Sequence, residues 1–282
     1  MLVFATLISS SFTVGAAITD ALEPVALTFL RFVLATVIFF AIAAFTRHKI
    51  KRPVLDDVPR YGLLGLLLAL YFTLMFEALR WTSSLSTGAI FTLAPPATVA
   101  ISWILLGQRF SSAQWLALAV SGLGAIWVMF DGSLQRLLEF SIGKGEVIFL
   151  IGALAYAAYS PFVRKLNMGE HLVDVTIWTL VAAAIILGIF GFSTITTVNW
   201  SAVPTSVYIG IAHLALFTTA CSSFLIQYAS LRLPSGKVMA YMYIIPALIV
   251  AQNVMFEGKL PSFSVLIGVI IISTATFALQ RL

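Results

Sequence analysis

The sequence predicts an all-α integral membrane protein of ten transmembrane helices, built as two inverted five-helix repeats. Three observations predict it. The 282 residues are 61% hydrophobic and only 10% charged, with a mean hydropathy of +1.05. A soluble domain is about 45–50% apolar and about 25% charged. The charges fall in short gaps between apolar runs of about 20 residues, the length that crosses a bilayer as a helix. These runs lack the strict alternation of a membrane barrel strand. The two halves also echo one another. Pro96 lies midway along an apolar stretch, 85–107, and Pro246, 150 residues on, lies midway along another, 236–256. The same offset carries Arg109 to Lys259 and Ser112 to Ser262, and Ala78-Leu79-Arg80 is echoed by Ser230-Leu231-Arg232.

Taken in order, the spans are about 2–19, 24–46, 59–80, 84–107 and 112–130, then 145–165, 172–192, 204–231, 235–257 and 262–281. They divide the chain into repeats at 1–130 and 145–282 within one membrane domain. The first run has no Lys or Arg before its apolar core, and a second span follows at once. It therefore reads as a retained span and not as a cleaved signal peptide. The fourth span holds Pro95 and Pro96, and the ninth holds Pro246. A proline mid-span removes a backbone donor and kinks the helix, which hydrocarbon tolerates only where neighbours or water satisfy the freed carbonyl. Paired breaks in matching half-chains point to a transporter's central site.

Orientation follows from the basic residues. With a cytoplasmic N-terminus, eleven of the sixteen Lys and Arg residues fall on the cytoplasmic side, among them Lys51, Arg60, Arg109, Arg164 and Arg281. Four, Arg80, Arg136, Lys144 and Lys259, fall on the other side, and Arg31 is left inside a span. Both termini are thus expected in the cytoplasm. An odd number of spans per half makes the second repeat enter the membrane inverted.

Two charged residues sit within spans. Arg31 lies seven residues past Pro24, about 10 Å deep at 1.5 Å per residue. Glu77 lies at a similar depth near the end of the third span. An Arg31–Glu77 tether, or snorkelling of Arg31 to the interface, is the structural expectation. Reception of a substrate carboxylate by Arg31 is the functional one. His213, near the middle of the eighth span, could relay protons or simply bond a neighbouring helix. No Asp or Glu stands at a span centre, so no ion-coupling carboxylate is evident.

Polar and aromatic residues gather at the middles of particular spans. The cavity candidates are Ser10 and Thr13 in the first, Tyr71 in the third, Thr92 in the fourth, Tyr156 and Tyr159 in the sixth, His213 and Ser222 in the eighth, and Tyr241 in the ninth. Taken singly, such residues pack helices or bond back to their own backbone. Taken together they predict a wet midplane cavity for a small, neutral or zwitterionic, partly apolar solute. No HExxH, GxSxG or Gly-rich phosphate loop is present, so neither catalysis nor a cofactor is expected, and no metal site. The pI near 9.5 does not indicate nucleic acid, because the basic residues stand at helix ends. The single cysteine, Cys221, falls inside a span and builds no disulfide framework.

Several passages resemble the EamA-type branch of the drug/metabolite transporter superfamily. They are Ser11-Phe12-Thr13-Val14-Gly15, the passage Glu23-Pro24 to Leu30-Arg31-Phe32, Glu77-Ala78-Leu79-Arg80, Leu93-Ala94-Pro95-Pro96 and Leu106-Gly107-Gln108-Arg109-Phe110. The second half repeats them more loosely through Ser230-Leu231-Arg232-Leu233-Pro234, Pro246 and Glu257-Gly258-Lys259. Gln108 stands where the family usually has an acid. The resemblance implies ten helices in two inverted repeats, and a cavity lined mainly by spans one, three, four, six, eight and nine. It implies movement of amino acids and other small metabolites, mostly outward. The expectation is therefore a multi-pass transporter of the plasma (bacterial inner) membrane, monomer or homodimer, with the bilayer and a small-molecule substrate as partners. Uptake of a vitamin or nucleoside-like metabolite is the alternative, and a non-transporting scaffold or sensor subunit the second.

Overall fold

A computed structural model describes the backbone of residues 1–257 and 261–282. It describes their side chains apart from those of residues 13, 16, 84, 85, 249, 252, 253, 256 and 257. Among the described residues every regular element is helical. The first half holds α1 (Leu2–Ile18), α2 (Pro24–Phe45), α3 (Val58–Leu79), α4 (Ser84–Phe91), α5 (Ala94–Leu106) and α6 (Ser112–Met129). A short α7 (Leu134–Leu138) leads to α8 (Lys144–Leu166), α9 (Leu172–Phe190) and α10 (Phe192–Thr197). Then come α11 (Thr205–His213), a π-helical segment Leu214–Cys221, α12 (Ser222–Arg232), α13 (Ser235–Ala240), a 3-10 turn Tyr241–Ile244, α14 (Ile245–Glu257) and α15 (Phe263–Arg281).

Eight helical runs are long and apolar enough to cross a membrane: α2, α3, α4 with α5, α6, α8, α9, α11 through α12, and α15. The two other expected spans are helical too. The first, α1, has 17 residues. The other is built of α13, the 3-10 turn and α14 in succession. Large apolar side chains such as Phe45, Ile104, Ile189 and Phe190 stay exposed along the bundle, as a lipid-facing surface requires.

Pro95, Pro96 and Pro246 open helices instead of bending them, whereas Pro161 stands inside α8. Pro95 and Pro96 stand in the first turn of α5, after a two-residue turn that ends α4. Pro246 is the second residue of α14, as Pro95 is of α5. Proline is at home there, because first-turn donors have no partner within the helix. Pro246 cannot give an N–H to the carbonyl of Met242, and Ile245 N–H takes that carbonyl instead. The ladder tightens to i→i+3 spacing over Tyr241–Ile244 as a result.

The echo between the halves is one residue longer than the sequence alignment gives. The helix starts Ser84, Ala94 and Ser112 recur at Ser235, Ile245 and Phe263, each 151 residues on. One pair of N-caps agrees as well: Ser111 accepts from Gln114 N–H, and Ser262 accepts from Val265 N–H. Pro95, not Pro96, is therefore the positional counterpart of Pro246. Residue pairs matched by composition alone slip easily in an apolar stretch, where one alanine or serine replaces another without penalty. Lys259 lies outside the described residues.

The centre of the bundle is α3, which packs along α8 and α9. Glycines admit the close approach: a methyl at Gly65 would come within 2.6 Å of Ala183 N on α9, and one at Gly152 within 3.2 Å of Leu74 Cβ. Small residues at such crossings let backbones meet where lipid offers no hydrophobic drive. At the periphery α6 and α15 pack together around Leu118, Ala125, Ile272 and Leu279.

Candidate functional site

The two broken spans face one cleft. Phe12, Phe91, Thr92, Met242, Ile245 and Pro246 line it, and it is nearly closed, with a cavity of only about 10 Å³ between them. Phe91 and Met242 stand 151 residues apart, the spacing of the helix starts. At its wall Thr92 Oγ1 donates to Ala89 O at 2.6 Å, so this hydroxyl satisfies the carbonyl of its own ending helix.

Behind the cleft lies an aromatic cluster. Phe12 meets Phe91 at 6.0 Å between ring centroids, and Phe91 meets Tyr156 at 5.8 Å. Tyr71 and Tyr156 stack at 4.2 Å, and Tyr156 and Tyr159 lie within 9° of parallel. All three tyrosines are fully buried. The wet midplane cavity expected from these residues is closed here, because the rings of α3, α4 and α8 fill it with one another. Tyr159 accepts from Gln227 Nε2 at 2.7 Å, and Gln227 Oε1 accepts from Thr176 Oγ1 at 2.6 Å, so one chain of bonds ties α8, α12 and α9. Below it Ser160 and Ser230 share a bond of 2.8 Å.

Other expected residues separate from this cluster. Ser10 shares a bond of 3.1 Å with His213 Nε2, joining α1 to α11, and the His213 ring sits 5.1 Å from Phe217. Ser222 donates to Thr218 O at 2.7 Å, on its own helix. Tyr241 is half-buried at the first residue of the 3-10 turn. The side chain of Thr13 lies outside those described. Among the described residues no three His, Cys, Asp or Glu side chains come together as metal ligands.

Arg31 does not reach Glu77, and the expected tether is absent. Arg31 is fully buried, so it does not snorkel either. Its Nη2 donates to Thr218 O at 2.9 Å and to Thr218 Oγ1 at 2.7 Å, and its Nε donates to Thr219 Oγ1. Its guanidinium lies 3.9 Å over the Phe72 ring. Glu77 stays partly exposed at the end of α3, accepting from Trp81 Nε1 at 2.9 Å and pairing with Arg80 at 3.6 Å. A carboxylate in that last turn finds nearer partners one turn on than a guanidinium on a neighbouring helix.

The two ends of the bundle differ. At the end that carries most of the basic residues, bonds cross between the halves repeatedly. Lys165 donates to Leu105 O at 3.3 Å, Gln108 accepts from Ser235 N–H at 3.2 Å, and Arg60 donates to Leu166 O at 3.0 Å. His48 pairs with the buried Asp174 at 2.8 Å. Deeper in, Thr98 donates to Ala157 O at 2.7 Å. At the opposite end an open groove runs between Asp20, Glu23, Arg80 and Asn199, with Arg80 paired to Glu23 at 2.9 Å.

Sequence reasoning missed the phenylalanines of the cluster, Phe12, Phe91 and Phe149. A phenylalanine in a span carries no mark that separates a cavity wall from a lipid-facing side. It also missed the His48–Asp174 pair, whose signal was an acid only two residues inside α9.

Comparison with known proteins gives concordant matches. The model of the EamA-like transporter family matches residues 1–130 and 143–280. The chain is 24% identical to the uncharacterized transporter YyaM of Bacillus subtilis (strain 168), over 86% of this chain and 80% of that protein. It is 21% identical to the uncharacterized transporter YdfC of the same organism, over 87% and 78%. A solved crystal structure superposes with a TM-score of 0.79 at 19% identity, covering 99% of this chain and 94% of its own, a likeness of fold.

Proposed function

The chain belongs to the EamA-like transporter family, and from that premise we propose a secondary transporter of the plasma membrane that exports amino acids or related small organic solutes by alternating access. The observation that carries this reading is the convergence of two helix breaks, 151 residues apart, on one cleft. In a single helix a break is a packing accident. In matched positions of two half-chains it supplies the site about which two repeats rock.

The reading takes the protein as ten spans in two inverted five-helix repeats, with both termini cytoplasmic. The recurrence of helix starts, and of the N-cap at Ser111 and Ser262, supports the repeat. So does the reciprocal packing, in which α3 of the first half lies on α8 while the π segment of the second lies on α1 and α2. With the basic end cytoplasmic, the closed end of the bundle is the inner one, and the groove at Asp20, Glu23 and Arg80 opens outward. An exporter that has released its solute rests in such a state.

Initial flux into and out of proteoliposomes, measured with labelled amino acids, tests the reading. Outward-directed flux, saturable and lost when Thr92 is enlarged to Trp in the cleft, is the expected result. Absence of any carrier-dependent flux across amino acids, vitamins and nucleosides would overturn it, and preferential uptake would reverse its direction.

A further inference from the structure

We propose that Arg31 is an anion site inside the bundle, and that the solute it takes is a small monocarboxylate with an apolar or aromatic body. The inference rests on the transporter reading and adds the substrate class to it. Arg31 is 0% exposed, and arginine keeps its charge at any physiological pH. Its partners are two hydroxyls and one carbonyl, all neutral. Its Nη1 has no hydrogen-bond partner.

Among the described side chains no acid supplies the missing charge. The acids nearest the membrane interior are engaged elsewhere: Glu77 with Trp81 and Arg80, Glu146 with Thr82 and Gly143 N–H, Asp174 with His48. The remaining acids stand at helix ends or in the loops between them. A buried charge without a counter-ion is strongly unfavourable, and buried charges are normally paired. A guanidinium without a counter-ion and with one free nitrogen, Nη1, is suited to donate to a carboxylate while Nε and Nη2 hold the threonines.

The surroundings set the body of the solute. One face of the guanidinium covers Phe72, whose ring is 4.7 Å from Tyr71, itself stacked on Tyr156. A solute held by its carboxylate at Arg31 would meet aromatic faces within a few ångströms. The Thr218 and Thr219 partners sit in the π-helical segment Leu214–Cys221. A π turn displaces carbonyls from the ordinary ladder and recurs at functional sites. Thr218 O in this segment accepts from Ser222 Oγ at 2.7 Å as well as from Arg31.

The test uses the full chain in detergent at pH near 7.5 and constant ionic strength. Melting temperature is followed with acetate, benzoate and phenylacetate, each beside its uncharged amide and beside chloride alone. Aromatic acids should raise the melting temperature in a saturable way and their amides should not. Arg31→Gln should weaken the apparent affinity for phenylacetate at least tenfold, with Arg31→Lys keeping part of it. Equal stabilisation by acid and amide, by chloride alone, or by no acid in the panel would overturn the proposal even if Arg31→Gln fails to fold. Flux separates the two readings. Carboxylate binding without flux would leave the anion site standing and remove the transport reading. Flux of neutral solutes that ignores both carboxylates and Arg31 would do the reverse.

Discussion

Gln227 donates its side-chain amide to the phenol of Tyr159 at 2.7 Å while accepting from Thr176, so three helices share one buried polar junction. Gln227 and Tyr159 are both fully buried. Tyr159→Phe would leave the Gln227 N–H unpaired, which costs about 1–3 kcal/mol. Gln227→Met removes the polar group altogether and should cost less in the Tyr159→Phe background than in the wild type. Denaturant titration of the four proteins in detergent measures the coupling. Strictly additive losses would show that the junction contributes no more than its separate parts.

A second expectation concerns two glycines one turn apart on α3. Gly65 faces the α9 backbone at Ala183 N, 2.6 Å from where a methyl would sit, whereas Gly62 has no atom within 4 Å. Gly65→Ala should therefore force α3 and α9 apart and cost about 1–3 kcal/mol, as overpacking does. Gly62→Ala should instead gain up to about 1 kcal/mol through helix propensity. Opposite shifts in melting temperature are the signature, and a shift of the same sign in both would remove the packing argument.

Much of the fold was legible because hydrocarbon imposes few choices. Apolar runs between charged gaps gave the helices, and Pro95, Pro96 and Pro246 marked where they break. The site was legible only in outline. Tyr71, Tyr156 and Tyr159 were identifiable as polar rings in apolar runs, but nothing in their spacing says that they stack on each other and close the cavity. Arg31 was visible as a costly charge, yet its partners on the π segment were not. Which threonine a buried guanidinium reaches depends on the rotation of two helices, and a π turn has no sequence signature. Gln108 was read as standing where an acid is usual, and the structure gives it a bond to Ser235 N–H across the halves.

At the basic end, pH should act through Glu170. Partial burial, the largest single influence, would raise its carboxyl, but the hydrogen bond from Arg60, the backbone N–H groups of Glu170 and Met168 and the Arg60 charge together outweigh that and hold it below the usual carboxylate range. A carboxylate lowered on folding stabilises above its unfolded pKa of about 4.3 and loses that contribution as pH falls through the folded value. The wild type should therefore melt above Glu170→Gln at pH near 7, and the gap should close on acidification below about 4. A gap independent of pH would mean that the Arg60 contact acts through shape alone.

The prolines carry the last expectation. An interior helical proline costs about 3 kcal/mol relative to alanine, so a kinked span would gain that much on Pro246→Ala. Pro246 stands instead at the second position of α14, where the donor it lacks has little use, and the gain should shrink to below about 1 kcal/mol. Pro95→Ala, at the same position of α5, should behave alike. Function should change more than stability does. Restoring the N–H of residue 246 lets it compete for the Met242 carbonyl now held by Ile245, and draws the 3-10 turn toward a continuous helix. Met242, Ile245 and Pro246 all line the cleft, so stiffening this segment acts on the surface that has to rearrange when the halves exchange conformations. Initial flux in proteoliposomes should fall several-fold in each single variant, and further in Pro95→Ala/Pro246→Ala, while melting temperatures stay nearly level. Unchanged flux in the double variant would reduce the paired breaks to packing features and take the cleft out of the mechanism.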